Sequence, residues 1–330
     1  MKNIFLFVLS VLPFLSWTFE ENDPEVVKPN FKCEFNTCYL ENDSIQYTFV
    51  QNKDLYLEEW SLLNQPNFWR NVMTLSPDSC VINIAKNRFV VEKLSIETWD
   101  KKSDKSKENY RDSIRKVYDL SDNDKIYMTT GKADFYAFDK VLPSVSRGVE
   151  VFKKENTHPW YAQAILMIES PGKLAKSNVG AYGAFQLMPS VARSHGLTVN
   201  KYKDERQDFD KSAKAASSLI RNTCIPKAIE ILDSKDLEYD ENSLSFRLLV
   251  LHVYHAGYAN VKAVFEKINP DEFNSDVIQK MWVTQAAKFK NASQNYSQLA
   301  IAAMMILDDI VESTIVTEKP QIDEAIDSKG

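Results

Sequence analysis

Half of this chain's glycines sit in one short segment. There are eight in 330 residues, and Gly172, Gly180, Gly183 and Gly196 all fall between Pro171 and Leu197. A residue without a Cβ serves where the backbone turns to positive φ or where two backbones approach closely, so a shaped loop is expected here. The apolar run before it, Pro159 to Ser170, carries Ala162, Ile165, Leu166 and Ile168 and few polar groups, which predicts a buried helix. Pro159 suits the first turn of that helix, and Pro171 disfavours helical backbone at Ser170 and stops it there. Glu169 is therefore expected in the last helical turn, against a glycine-rich loop.

A carboxylate in that position is disfavoured twice. The C-terminal end of a helix carries partial negative charge, and apolar neighbours remove water from the carboxylate. Both raise its pKa from about 4.3. A carboxyl held partly protonated near neutrality can act as a general acid, which a glycosidic oxygen needs in order to leave. Most helix-end glutamates merely reach water or a cation, so the residues that follow have to decide between the two uses.

Those residues form an ordered set. After Glu169-Ser170 come Ser177, Gly180, Ala181, Gly183, Gln186, Leu187, Met188 and Pro189, and then a helical stretch with Val191, Ala192 and Arg193. The pattern Glu-Ser, then Ser-x-x-Gly-Ala-x-Gly-x-x-Gln-Leu-Met-Pro, resembles the catalytic signature of the lytic transglycosylases with a goose-type-lysozyme-like fold. Further on, Asp204-Glu205-Arg206 and Asp208 before an Ala-rich helix resemble the membrane-bound branch of that family. Tyr254-His255-Ala256-Gly257 resembles its Tyr-Asn-Ala-Gly turn, with His255 where the family usually has Asn, and Asn295-Tyr296 stands where it carries a late Asn-Tyr pair. The resemblance covers about residues 155–300.

It implies a mainly α protein whose substrate is the peptidoglycan glycan strand, cut between N-acetylmuramic acid and N-acetylglucosamine. Glu169 would protonate the bridging oxygen and then take the proton from the muramyl 6-hydroxyl, leaving a 1,6-anhydro end. Ser170, Ser177, Gly180, Gln186, Met188, Tyr254, His255 and Tyr296 would line the substrate site, and no cofactor or metal is implied. Phe185, Leu187 and Met188, being apolar beside a turn, are also read as core, and Tyr296 suits either cleft or core. His252 and His255 lie one helical turn apart without an acid to complete a familiar metal site. A two-acid hydrolase would need a partner from Asp204, Glu205, Asp208 or Asp210. These have simpler uses: Asp208 or Asp210 as a helix cap, Arg206 as a local ion-pair partner. The alternatives are a hydrolytic muramidase using water, and a catalytically weak peptidoglycan-binding scaffold.

The rest of the chain sets the frame. Met1 to about Phe19 has one positive charge and an apolar run of signal-peptide length, expected to serve as an export signal or a retained membrane anchor. Residues 20–35 read as a flexible tether, 36–154 as a mostly helical region of unknown role, 155–317 as the catalytic domain and 318–330 as a polar tail. Within the second region, Leu55 to Met73 has helical spacing, Cys80 to Val91 suits helix or strand, residues 101–109 form a charged break, and Pro143 opens a helix burying Val145, Val149 and Phe152. The net charge of −6 leaves no basic face for a phosphate backbone, so nucleic acid is not an expected partner. Export to the periplasm or cell envelope would let Cys33, Cys38, Cys80 and Cys224 form two disulfides, in any of three pairings.

Overall fold

Among the described residues, two small antiparallel sheets accompany the helices. The computed structural model describes residues 32–40, 45–132, 135–169, 176–177 and 179–316. The expected export segment, most of the tether, Ser170 and the tail lie outside the described residues. In chain order the elements are β1 (Phe35–Leu40), β2 (Gln46–Val50), α1 (Lys53–Leu57), α2 (Asn64–Thr74), β3 (Ser79–Ile84), β4 (Val90–Ser95), α3 (Ile96–Asp100), α4 (Asp104–Val117), β5 (Ile126–Thr130), α5 (Leu142–Lys154) and α6 (Trp160–Glu169). They continue with α7 (Pro189–Ser194), α8 (Phe209–Leu219), α9 (Ile225–Asp233), α10 (Leu244–Ala256), α11 (Tyr258–Ile268), α12 (Ser275–Val283), α13 (Ala292–Thr314) and β6 (Ile315–Val316). The mainly helical expectation holds, and the helices begin and end close to where Pro143, Pro159 and Gly257 place them.

The stretch from Cys80 to Val91 resolves as strand. β3 is the centre of a sheet ordered β4-β3-β5, all antiparallel, and its alternating residues face two different layers. Cys80, Ile82 and Ile84 pack with Trp99, Ile114 and Ile126, whereas Val81 packs with Phe68, Val72 and Leu75 on and beside α2. A strand buried on both faces reads as a continuous apolar run, which explains the ambiguity. The charged break is shorter than expected: α4 starts inside it, with the Ser103 hydroxyl accepting from the Ser106 N–H at 3.2 Å.

A second sheet, ordered β2-β1-β6, joins the two ends of the described chain, because Tyr39 and Leu40 pair with Val316 and Ile315. Its β2 is bolted to the helix that carries Glu169. Residues Trp160 to Met167 of α6 are at most 1% exposed, so the helix is enclosed on every side. Gln163 at its centre uses both ends of its amide on one residue: the oxygen accepts from Val50 N–H at 2.9 Å and the nitrogen donates to Val50 O at 3.0 Å. Trp160 Nε1 donates to Asn52 Oδ1 at 3.1 Å, and Asn52 Nδ2 donates to Asp308 Oδ1 of α13 at 2.7 Å. The N-terminal strands thus brace α6, and one main core runs continuously through residues from Cys38 to Leu307.

The expected disulfides are not formed: all four cysteines are free thiols. Cys80 sits in the small-sheet core and Cys224 in the main core. Cys38, on β1, donates its thiol proton to Tyr47 O at 3.7 Å. No helix among the described residues is long and apolar enough to cross a membrane.

Candidate active site

Glu169 is the last residue of α6, as the proline stop predicts. It is half-buried, and its Oε1 accepts a hydrogen bond from the Tyr296 hydroxyl at 2.8 Å. Burial raises its pKa and the Tyr296 bond opposes that rise, leaving the carboxyl at about 7. Tyr296 comes from α13 and is only 2% exposed. Its own phenol is pushed well up, by burial first and by the Glu169 charge second, so it remains a donor at every physiological pH. The ring of His255 stacks on that of Tyr296, with centroids 4.2 Å apart and planes at 21°. Packing against protein lowers the His255 pKa, so the imidazole is neutral at pH 7.

The glycine segment forms a hairpin beside this group. Tyr182 and Leu187 exchange both backbone hydrogen bonds, at 3.2 and 3.1 Å, and residues 183–186 make the turn. Ser177 closes its approach: the hydroxyl accepts from Ala181 N–H at 2.9 Å, and the backbone carbonyl accepts from Gly180 N–H at 3.0 Å. Gln186 adopts φ of 46°, a left-handed conformation unusual for a residue with a side chain, and its Nε2 donates to Gly183 O at 3.0 Å.

Three devices fix the hairpin. Phe185 is fully buried and stacks on Phe152 of α5, centroids 5.6 Å apart. The Phe185 carbonyl accepts from the Tyr254 hydroxyl of α10 at 2.6 Å, which commits that hydroxyl to holding the loop. The buried Arg206 pairs with Asp204 through two bonds, at 2.8 and 2.7 Å, and its Nη1 donates to the carbonyls of both Gly180 and Leu187 at 2.8 Å. Close contact with this arginine explains Gly183, whose φ is 84° and where a Cβ would collide with the Arg206 carbonyl. Phe185 and Leu187 are core as expected. Met188 is not: it is 39% exposed, at the junction where the hairpin ends and Pro189 starts α7.

The candidate second acids are all occupied elsewhere. Asp204 holds Arg206, and Glu205 pairs with Lys203 and Lys211. Asp208 caps α8 by accepting from Lys211 N–H at 3.1 Å, and Asp210 takes a two-bond pairing from Arg147 at 2.8 and 2.7 Å. Their ordinary pairings agree with the roles read from the sequence. Among the described residues no three His, Cys, Asp or Glu side chains cluster to hold a metal ion.

The structure therefore joins Glu169, Tyr296 and His255 directly and sets Tyr254 and Gln186 on the hairpin and its clamp. Ser177 and Gly180 shape the loop, with their polar groups used inside it. Sequence motifs did not reveal Tyr136. Its phenol is pushed up to about 12 by burial and, secondarily, by the charge of Glu169, which places it within electrostatic reach of the acid. Tyr136 lies outside the motif, and no spacing rule links it to residue 169.

Glu169 thus ends a buried helix with its carboxyl raised to about 7, and the glycine hairpin is clamped by Tyr254 and Arg206 among the surrounding helices. Residues 150–275 match the family model described as the Transglycosylase SLT domain, so this segment is a lytic-transglycosylase-type catalytic domain of lysozyme-like helical fold. The match includes Glu169, the hairpin, Tyr254 and His255, while Tyr136 and Tyr296 lie on either side of it. No curated protein matches the chain.

Proposed function

We propose that the protein is a peptidoglycan lytic transglycosylase in which Glu169 alone acts as acid and then as base. The carrying observation is the balance at Glu169, where burial and the Tyr296 hydrogen bond together leave a carboxyl poised at about pH 7. The neutral acid donates its proton to the oxygen between N-acetylmuramic acid and N-acetylglucosamine, and that C–O bond breaks. The resulting carboxylate is stabilised by the Tyr296 hydroxyl and accepts the proton of the muramyl 6-hydroxyl as that oxygen bonds to the anomeric carbon. The acid is thereby restored and the product carries a 1,6-anhydro ring. The occupation of Asp204, Glu205, Asp208 and Asp210 in ion pairs and a cap supports this route over a two-acid hydrolysis.

His255 holds the Tyr296 ring in place from the position where the family usually has Asn, and Gln186 and Met188 face the glycan from the hairpin. Ser170 completes the substrate contacts by resemblance. The strands and helices of residues 36–154 brace the catalytic domain of residues 155–317. Peptidoglycan as substrate implies work outside the cytoplasm, and we assign the protein to the periplasm or cell envelope, with residues 1–19 as its export signal or retained anchor. Mass spectrometry of products released from purified sacculi tests the reading. Anhydro-muramyl ends that vanish with Glu169→Gln are expected; reducing muramic ends would indicate a muramidase, and no release would indicate a binding scaffold.

A further inference from the structure

We propose that Phe135 and Tyr136 form an aromatic wall of the cleft that binds a pyranose ring of the glycan strand, supplied from outside the segment that matches the family. The proposal rests on the glycan-cleaving reading of the Glu169 site.

The wall is anchored at both ends. Gly131 N–H donates to Ser79 O at 3.3 Å and Lys132 N–H to Val72 O at 2.9 Å, which ties its start to β3 and α2. A Cβ at residue 131 would run into the carbonyl of Leu75, so the approach to α2 is close. At the other end Phe138 is buried in the main core. Tyr136 stacks on Phe138, with centroids 5.4 Å apart and planes at 17°, and Phe135 meets Tyr136 edge-on at 4.8 Å and 86°. The backbone N–H groups of Phe135 and Tyr136 both donate to Lys132 O, at 2.9 and 3.2 Å. A rigid aromatic ladder therefore rises from the core to a phenyl ring that is 54% exposed.

Its place in the fold points to the cleft. The α2 helix at the start of this turn packs on α13, which carries Tyr296, and the turn leads into α5, which packs on α6, which carries Glu169. The ladder thus runs between α2 and α5, the helices that pack on the two elements whose side chains meet in the Tyr296–Glu169 hydrogen bond, and the Glu169 charge reaches the Tyr136 phenol. An exposed ring fixed by its neighbours presents a flat apolar face at little entropic cost, and the C–H faces of a pyranose are the complementary surface beside an acid that cleaves glycans.

Binding without turnover separates this wall from catalysis. The affinity of Glu169→Gln for peptide-free glycan strands is measured by calorimetry, alone and combined with Phe135→Ala or Phe135→Trp, with thermal midpoints recorded for each. Loss of the ring is expected to weaken binding about 3- to 10-fold, the scale of one aromatic contact, with an unchanged midpoint and recovery by Trp. Equal affinity of the Ala and Phe forms overturns the wall while leaving the glycan reading intact. No glycan binding by Glu169→Gln itself overturns both.

Discussion

Replacing Tyr296 with Phe removes one hydroxyl and leaves the ring stacked under His255, so it isolates the hydrogen bond to Glu169. A hydrogen bond to a charged group contributes about 1.5–3 kcal/mol. Because Glu169 is only half-buried, water recovers part of that, leaving about 1–2 kcal/mol that favours the carboxylate over the acid. At 1.36 kcal/mol per unit, the Glu169 pKa in Tyr296→Phe should rise by about one unit from its value near 7. In the proposed reaction the neutral acid acts first, so kcat/KM is expected to be highest below this pKa and to fall as pH rises through it. The alkaline limb of kcat/KM against pH, measured with soluble glycan strands, should therefore move upward by about one unit in the variant. At pH 6 the variant should lose activity, because the carboxylate formed on proton donation has lost its stabilising partner. An alkaline limb that stays in place, or moves down, would refute the assignment of that limb to Glu169 and Tyr296.

The same acid links catalysis to stability. Its folded pKa of about 7 exceeds the unfolded value of 4.5, so folding binds a proton between them; stability falls as pH rises through this window and the loss is complete above 7. Glu169→Gln, neutral throughout, should match the wild type at pH 4 and exceed it by about 2–3 kcal/mol at pH 8, measured by urea unfolding. Arg206→Ala strands two carbonyls and a carboxylate and should cost about 3–5 kcal/mol in the same assay, with product release falling as the hairpin loosens. Gln163→Leu, which strips β2 of its amide partner, should cost about 2–4 kcal/mol without moving the alkaline limb. Free thiols predict that a reductant leaves the thermal midpoint unchanged, and that a thiol reagent reaches Cys38, Cys80 and Cys224 only after unfolding, since burial pushes each thiol up in pKa.

What the sequence revealed depended on the range over which each signal acts. Pro171 and the apolar run settle where α6 ends, both local effects, so the position of Glu169 and the direction of its pKa were legible. A cap from Asp208 or Asp210 and a local ion pair of Arg206 were legible for the same reason; the structure gives the cap to Asp208 and the pair to Asp204. The β2 strand was not, because five residues with Tyr47, Phe49 and Val50 buried give too short an alternation, and besides its pairing with β1 it is held by a glutamine 113 residues away. Tyr296 suited either cleft or core because its ring is buried while its hydroxyl reaches Glu169 across 127 residues of chain. Local spacing carries no trace of such a contact. Met188 misled because an apolar side chain at a junction is free to stay outside, and the disulfides misled because an even cysteine count says nothing about where strands carry the thiols.

In the proposed reaction one carboxyl does both proton transfers and the sugar's own hydroxyl, not water, closes the ring. Digestion of purified sacculi in oxygen-18-labelled water, with mass spectrometry of the new muramyl ends, separates the two nucleophiles. The wild type should give anhydro ends without label and Glu169→Gln should release nothing; label at the anomeric carbon of newly formed ends would rule out closure by the 6-hydroxyl.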